Sequence, residues 1–110
     1  MSDERIRRIG LNEALFRAVN EQIDALTSRF GKAETIEIIC ECGYGGCTER
    51  LDVPLSVYES VRADSHRFLV VPGHEIPASE TLVESTRAYG IVEKDGGMPA
   101  DVAEKTDPRT

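Results

Sequence analysis

The segment Cys40-Glu-Cys-Gly-Tyr-Gly-Gly-Cys47 constrains this chain more than any other stretch, because all three cysteines of its 110 residues lie inside it. An odd number of cysteines cannot be fully paired within the chain. Clustered thiols without a disulfide partner point to metal binding or redox chemistry. In an extended backbone, residues two apart face the same side, so Cys40 and Cys42 converge while Glu41 points away. The glycines then let the chain turn sharply enough to return Cys47 toward the same point. They also leave backbone N–H groups free to steady thiolate charge. Three thiolates suit a soft or borderline cation, and a structural zinc site is tetrahedral and four-coordinate. Zinc is the expected metal, and a fourth ligand is required.

Two histidines exist, His66 and His74. Spacing alone does not choose between them. Pro72-Gly73 presets a bend that would aim His74 back over the cysteines, whereas His66 sits among Asp64, Ser65 and Arg67 in what reads as ordinary surface. If neither histidine serves, Glu41, Glu49 or water would complete the site.

Around this segment the pattern is α+β. Leu11, Leu15, Val19, Ile23, Leu26 and Phe30 recur at spacings of three and four, which predicts a long amphipathic helix with Glu13, Arg17, Glu21 and Asp24 on its solvent face. Gly31 stands where a helix C-cap is wanted. Thr35 to Cys40 and Thr48 to Val53 alternate as strands and form a hairpin with the cysteines at its tip. Ser56-Val-Tyr-Glu59 matches a capping box opening a short helix over 57–63. Arg67 to Val71 reads as a third strand ended by Pro72, and Thr81 to Ser85 with Tyr89 to Lys94 as the two arms of a further hairpin, with a helical turn as the alternative for the first arm. The expected fold is a long N-terminal amphipathic helix packed on a small, mostly antiparallel sheet, with a zinc-knuckle-like hairpin and a second short helix. Residues 1–10 are expected to be a flexible segment, 11–95 a single zinc-stapled domain, and 96–110 a disordered acidic tail.

Charge narrows the partners. Thirteen basic and twenty acidic residues give a net charge of −7, and residues 1–30 hold five of each sign, so the acidic excess lies beyond them. Such a field opposes a polyanionic backbone and disfavours nucleic acid, although Arg5, Arg7 and Arg8 make a small basic cluster. No apolar run approaches a membrane span or a signal peptide, so a cytoplasmic location is expected. Phosphate-binding and nucleophile-elbow motifs are missing. An open catalytic zinc would need a base such as Glu75, but three thiolates damp the Lewis acidity of the metal. The reading is non-enzymatic.

Asn12-Glu-Ala-Leu-Phe-Arg17, Cys40-Glu-Cys42, Cys47-Thr-Glu-Arg50, Tyr58-Glu59, Arg67-Phe68, Pro72-Gly-His-Glu75 and Val92-Glu-Lys94 together resemble a family of short, uncharacterised actinobacterial proteins. The likeness runs from about residue 11 to 95. It implies Cys40, Cys42, Cys47 and His74 as the ligand set and carries no activity. The functional expectation is a regulatory or protein-interaction module held by a Cys3His zinc site, with a protein partner. The alternative is a thiol-based redox sensor that releases zinc on oxidation.

Overall fold

The computed structural model describes residues 2–31 and 34–109. Helix α1 (Asp3–Arg29) is followed by β1 (Thr35–Ile39), β2 (Arg50–Pro54), α2 (Leu55–Arg62), β3 (Arg67–Val70), β4 (Glu80–Ser85), β5 (Gly90–Lys94) and α3 (Met98–Lys105). β1 and β2 form the antiparallel hairpin, with Ile36 opposite Val53 and Ile38 opposite Leu51. β3, β5 and β4 form a second antiparallel sheet with β5 in the centre. The class is α+β as expected, with the strands divided between two small sheets.

The core lies between the hairpin, α2 and the second sheet. Alternation along β1 and β2 turns Ile36, Ile38, Leu51 and Val53 inward, where they meet Tyr58 and Val61 of α2 and Phe68, Leu69, Val70 and Val92 of the sheet. Cys40 and Cys42 belong to the same buried cluster.

Helix α1 begins earlier than the expected flexible segment 1–10 allows. The Ser2 hydroxyl accepts from the Arg5 N–H, and Asp3 and Glu4 place negative charge in the first turn. Ile9 and Gly10 are already buried. Helix α2 starts at Leu55 behind Pro54 and has no side-chain cap, so the expected Ser56 capping box does not form.

The larger correction concerns which face of α1 is inside. The stripe predicted to pack is largely in solvent, with Leu11, Leu15 and Leu26 about half exposed and Phe30 86 % exposed. The buried face instead carries Glu13, Arg17 and Asn20. Each is held by groups from distant segments. Arg17 donates to the Ser65 carbonyl at 2.8 Å and the Ala103 carbonyl at 2.7 Å, and its guanidinium lies 4.6 Å from the centre of the Phe68 ring. With Arg17 and Asn20 hydrogen-bonded and Glu13 beside the Lys94 ammonium, a polar face is tolerated inside the fold.

Residues 96–110 were expected to be a disordered tail; instead α3 packs on α1. Pro99, Ala100 and Ala103 are buried, and Val102 lies so close to Gly10 that a Cβ there would sit 2.7 Å from it. Beyond the helix, Arg109 reaches Glu21 and Glu59 at 2.9 Å and Asp24 at 3.4 Å. Small residues at a close helix crossing do the packing that larger apolar side chains do elsewhere.

Candidate metal centre

The connection between β1 and β2 carries the cysteines. The ladder continues one step past the strands, the Cys40 N–H donating to the Glu49 carbonyl at 2.8 Å. The chain then leaves the hairpin and turns at Gly46, whose φ of +83° lies in the left-handed region that a side chain disfavours. Gly43 is needed for a different reason. A Cβ there would collide with Ile9 and lie 3.2 Å from Ile76, so its bareness lets α1 seat directly on the loop.

Cys40, Cys42, Cys47 and His74 come together with one ligand atom each, all within 4.8 Å of one another. His74 is delivered as expected by the bend after β3, where its N–H donates to the Val71 carbonyl at 2.9 Å and Gly73 takes a φ of +91°. Its Nδ1 lies 3.6 Å from the sulfurs of both Cys40 and Cys47. With Zn–S near 2.3 Å and Zn–N near 2.0–2.1 Å, the S–N edge of a tetrahedron is about 3.6 Å. The donor set and its spacing fit a tetrahedral divalent cation.

The surroundings are arranged for thiolates and an Nδ1 ligand. His74 Nε2 lies 3.0 Å from a Glu49 carboxylate oxygen, which fixes the proton on Nε2 and turns Nδ1 toward the sulfurs. The Val71 N–H donates to the Cys40 sulfur at 3.1 Å. Backbone N–H groups of Tyr44 and Glu49 favour the thiolates of Cys42 and Cys47, each two residues downstream of its cysteine. Without a cation the thiols of Cys42 and Cys47 resist ionising. The neighbouring Cys40 sulfur, then burial, push Cys42 far up, and burial is the main cause for Cys47. A metal must therefore displace protons on binding.

Glu41, between two of the sulfurs, points the other way as its place in the alternation requires. It is fully buried, and its two oxygens accept from the Arg62 guanidinium at 3.1 Å, the Leu69 N–H at 2.9 Å and the Asn20 amide at 2.8 Å. Asn20 also pairs with Ile39 in both directions, taking its N–H and donating to its carbonyl as a neighbouring strand would. The cysteine strand is thereby tied to α1, α2 and β3 at one carboxylate. Glu41 and Glu49, considered as ligands from sequence, serve instead as an anchor and as the partner of the histidine. His66 stands apart, its Nε2 2.6 Å from Glu104.

Nothing in the sequence pattern distinguished Glu41 from a solvated glutamate, because its partners lie on three other elements. A second buried polar cluster escaped notice for the same reason. Lys94 donates to Glu80 at 2.9 Å and Ser79 at 3.1 Å, and its ammonium lies 2.8 Å from Glu13. That last pair is poorly aligned, so neither Glu13 oxygen receives a hydrogen bond. Burial, reinforced by Glu80 and opposed by Lys94, raises the pKa of Glu13 well above the usual 4.5.

Among the described residues, no helix is long and apolar enough to cross a membrane. No family model matches the chain, and neither curated proteins nor solved structures give a match. What the fold and the site define is a small α+β domain with a Cys3His cluster able to hold a metal ion.

Proposed function

We propose that Cys40, Cys42, Cys47 and His74 hold a structural zinc ion, and that the domain works as a non-enzymatic regulatory or protein-interaction module. The observation that carries this reading is the 3.6 Å spacing of His74 Nδ1 from two cysteine sulfurs, which matches a tetrahedral edge. Four protein ligands close the coordination shell and leave no position for a reacting water. Three thiolates also damp the charge that catalysis would use. The Leu11, Leu15, Leu26 and Phe30 surface on α1 supports a role in contacting another protein, since large exposed apolar patches commonly mark such contacts.

Zinc content and stability test the proposal together. Protein purified without added metal should retain close to one equivalent of zinc through dialysis, and a chelator should lower its melting temperature. Metal-free protein that melts as the loaded form does would end the structural reading.

The redox alternative draws on Cys47, the one partly exposed thiol of the three. Mild peroxide followed by thiol counting and zinc release separates it from a purely structural site. Full retention of zinc and of all three thiols rules the sensor out.

A further inference from the structure

A second site lies beside the metal centre and uses the one basic feature of the acidic chain. Between the first turns of α1 and the cysteine loop is a cavity of about 350 Å³. Arg5 and Arg8 line one side, Tyr44 the other, and Ile9 and Ile76 form an apolar floor that is less than a tenth exposed. Among the described residues neither guanidinium has an ion pair. This contrasts with Arg17, Arg50, Arg62, Arg67 and Arg109, all of which are engaged.

Tyr44 is held in place but kept open. Its hydroxyl donates to the Glu75 carbonyl at 3.3 Å, and its ring meets the His74 ring edge-on with centroids 6.0 Å apart. Tyr44 is still 47 % exposed. The Asn12 amide donates to the Gly43 carbonyl at 3.4 Å, which joins the two walls.

We infer that this cavity binds a small phosphorylated molecule bearing a flat ring, with its phosphate on Arg5 and Arg8 and its ring on Tyr44. Each part follows from a property of the lining. Guanidinium groups match phosphate oxygens two at a time, and two unpaired arginines on one wall suit a doubly charged group. An exposed tyrosine fixed by two contacts offers a stacking surface at little cost in lost motion. A volume of this order lies at the small end of ligand pockets.

The net charge of −7 opposes a long nucleic acid, whose many phosphates would sample the whole surface. A single phosphate feels mainly the charges within a Debye length of about 8–10 Å. On the first turns of α1 Arg5, Arg7 and Arg8 outnumber Asp3 and Glu4, while Glu75 lies on the opposite wall beside Ile76.

The site deepens the regulatory reading and shares one element with it. Tyr44 lies in the loop between Cys42 and Cys47, and its ring touches His74, so the metal sets the position of one wall. Ligand affinity should therefore fall when zinc is removed.

Titration of the zinc-loaded protein with AMP, adenosine and inorganic phosphate, followed by amide chemical shifts, tests the proposal. AMP should bind saturably and move the Gly43, Tyr44 and Gly45 amides. Inorganic phosphate should bind more weakly at the same place, and adenosine more weakly still. Arg5→Ala with Arg8→Ala should weaken AMP at least about tenfold, a loss of roughly 1.4 kcal/mol. Tyr44→Ala should remove the preference for AMP over phosphate, and Arg7→Ala, on the neighbouring α1–α3 groove, should weaken AMP much less than the two-arginine variant does.

These substitutions remove no hydrogen bond that holds the core, and unchanged melting of the two-arginine variant confirms a fair comparison. The proposal is overturned by no saturable response to AMP up to about 10 mM, or by AMP affinity unaltered in the two-arginine variant. Zinc content is measured separately on the same samples. A protein that takes up no zinc yet binds AMP through Arg5 and Arg8 would remove the metal reading and keep this one.

Discussion

Helix α1 enters two buried polar clusters, and they are built on opposite terms. At Asn20 it meets Glu41, whose charge is balanced by Arg62 and whose two oxygens take three donors. At Glu13 it meets Lys94 and Glu80, where two carboxylates share one ammonium and Glu13 receives no hydrogen bond. In the first cluster both carboxylate oxygens are paired, and only the Arg62 Nε is left without a partner. The second has one ammonium for two carboxylates, and burial, with Glu80 alongside, raises the pKa of Glu13. A buried charge pair of good geometry stabilises chiefly in the sense that breaking it is costly, whereas an unbalanced one makes stability depend on pH.

The strongest way to break the contrast is at the metal centre that Glu41 supports. Cys42→Ser should cost more than about 5 kcal/mol, because cation binding to structural sites of this kind is worth about 10–16 kcal/mol. The check is thermal melting with and without zinc. A variant that melts with the parent and keeps its zinc would show that the cluster is not a staple.

Glu41→Ala comes next. It strands Arg62 in the interior and should cost about 3–5 kcal/mol in urea denaturation. A loss below about 1 kcal/mol would mean that Arg62 finds water or a new acceptor, and that the cluster is less closed than it looks.

Glu49→Gln tests the histidine orientation more gently. Loss of such a carboxylate partner weakens metal binding by about 10–100-fold, measured by competition with a chromogenic chelator. Wild-type affinity in this variant would remove Glu49 from the centre.

The smallest effect belongs to Glu13→Gln. The pKa of Glu13 is raised in the fold, so the protonated form is favoured there. The stability this lends is fully present below the usual 4.5 and is lost as pH rises through the folded value. Glu80 and Lys94 face it throughout, and Lys94 limits the shift. Replacing Glu13 with neutral glutamine should change stability by less than about 1 kcal/mol in mild acid and flatten its decline toward neutral pH. An unaltered slope would place the proton elsewhere in the cluster.

The same contrast explains what could be read from sequence. The cysteine hairpin was legible because alternation and glycine turns are local, and His74 was legible because Pro72-Gly73 fixes a local bend. β3 and β5 followed from their own patterns, while the pattern over β4 left a strand and a helical turn both open. The orientation of α1 did not, because Leu11, Leu15 and Leu26 form a persuasive apolar stripe while the residues that actually pack, Glu13, Arg17 and Asn20, depend on Lys94, Ala103 and Ile39. Hydrophobic periodicity registers burial of carbon and is blind to a polar group whose partner is far along the chain. Helix α3 was missed for a related reason. Its buried residues are Pro99, Ala100 and Ala103, too small to stand out as apolar, and they pack because Gly10 lets Val102 come close.

The alternation at Cys40-Glu-Cys42 also acts as a safeguard on strand register. Two sulfurs face the cation site and the carboxylate between them faces Arg62, so the strand carries opposite chemical demands on its two sides. A slip of one residue in β1 would bring Glu41 to Cys47 and His74 and leave the Cys40 and Cys42 thiols against a guanidinium, while every isoleucine of the strand changed sides. Misaligned hairpins are thus rejected twice, by the oily interior and by ion chemistry. A short, glycine-tipped hairpin is held to a single alignment.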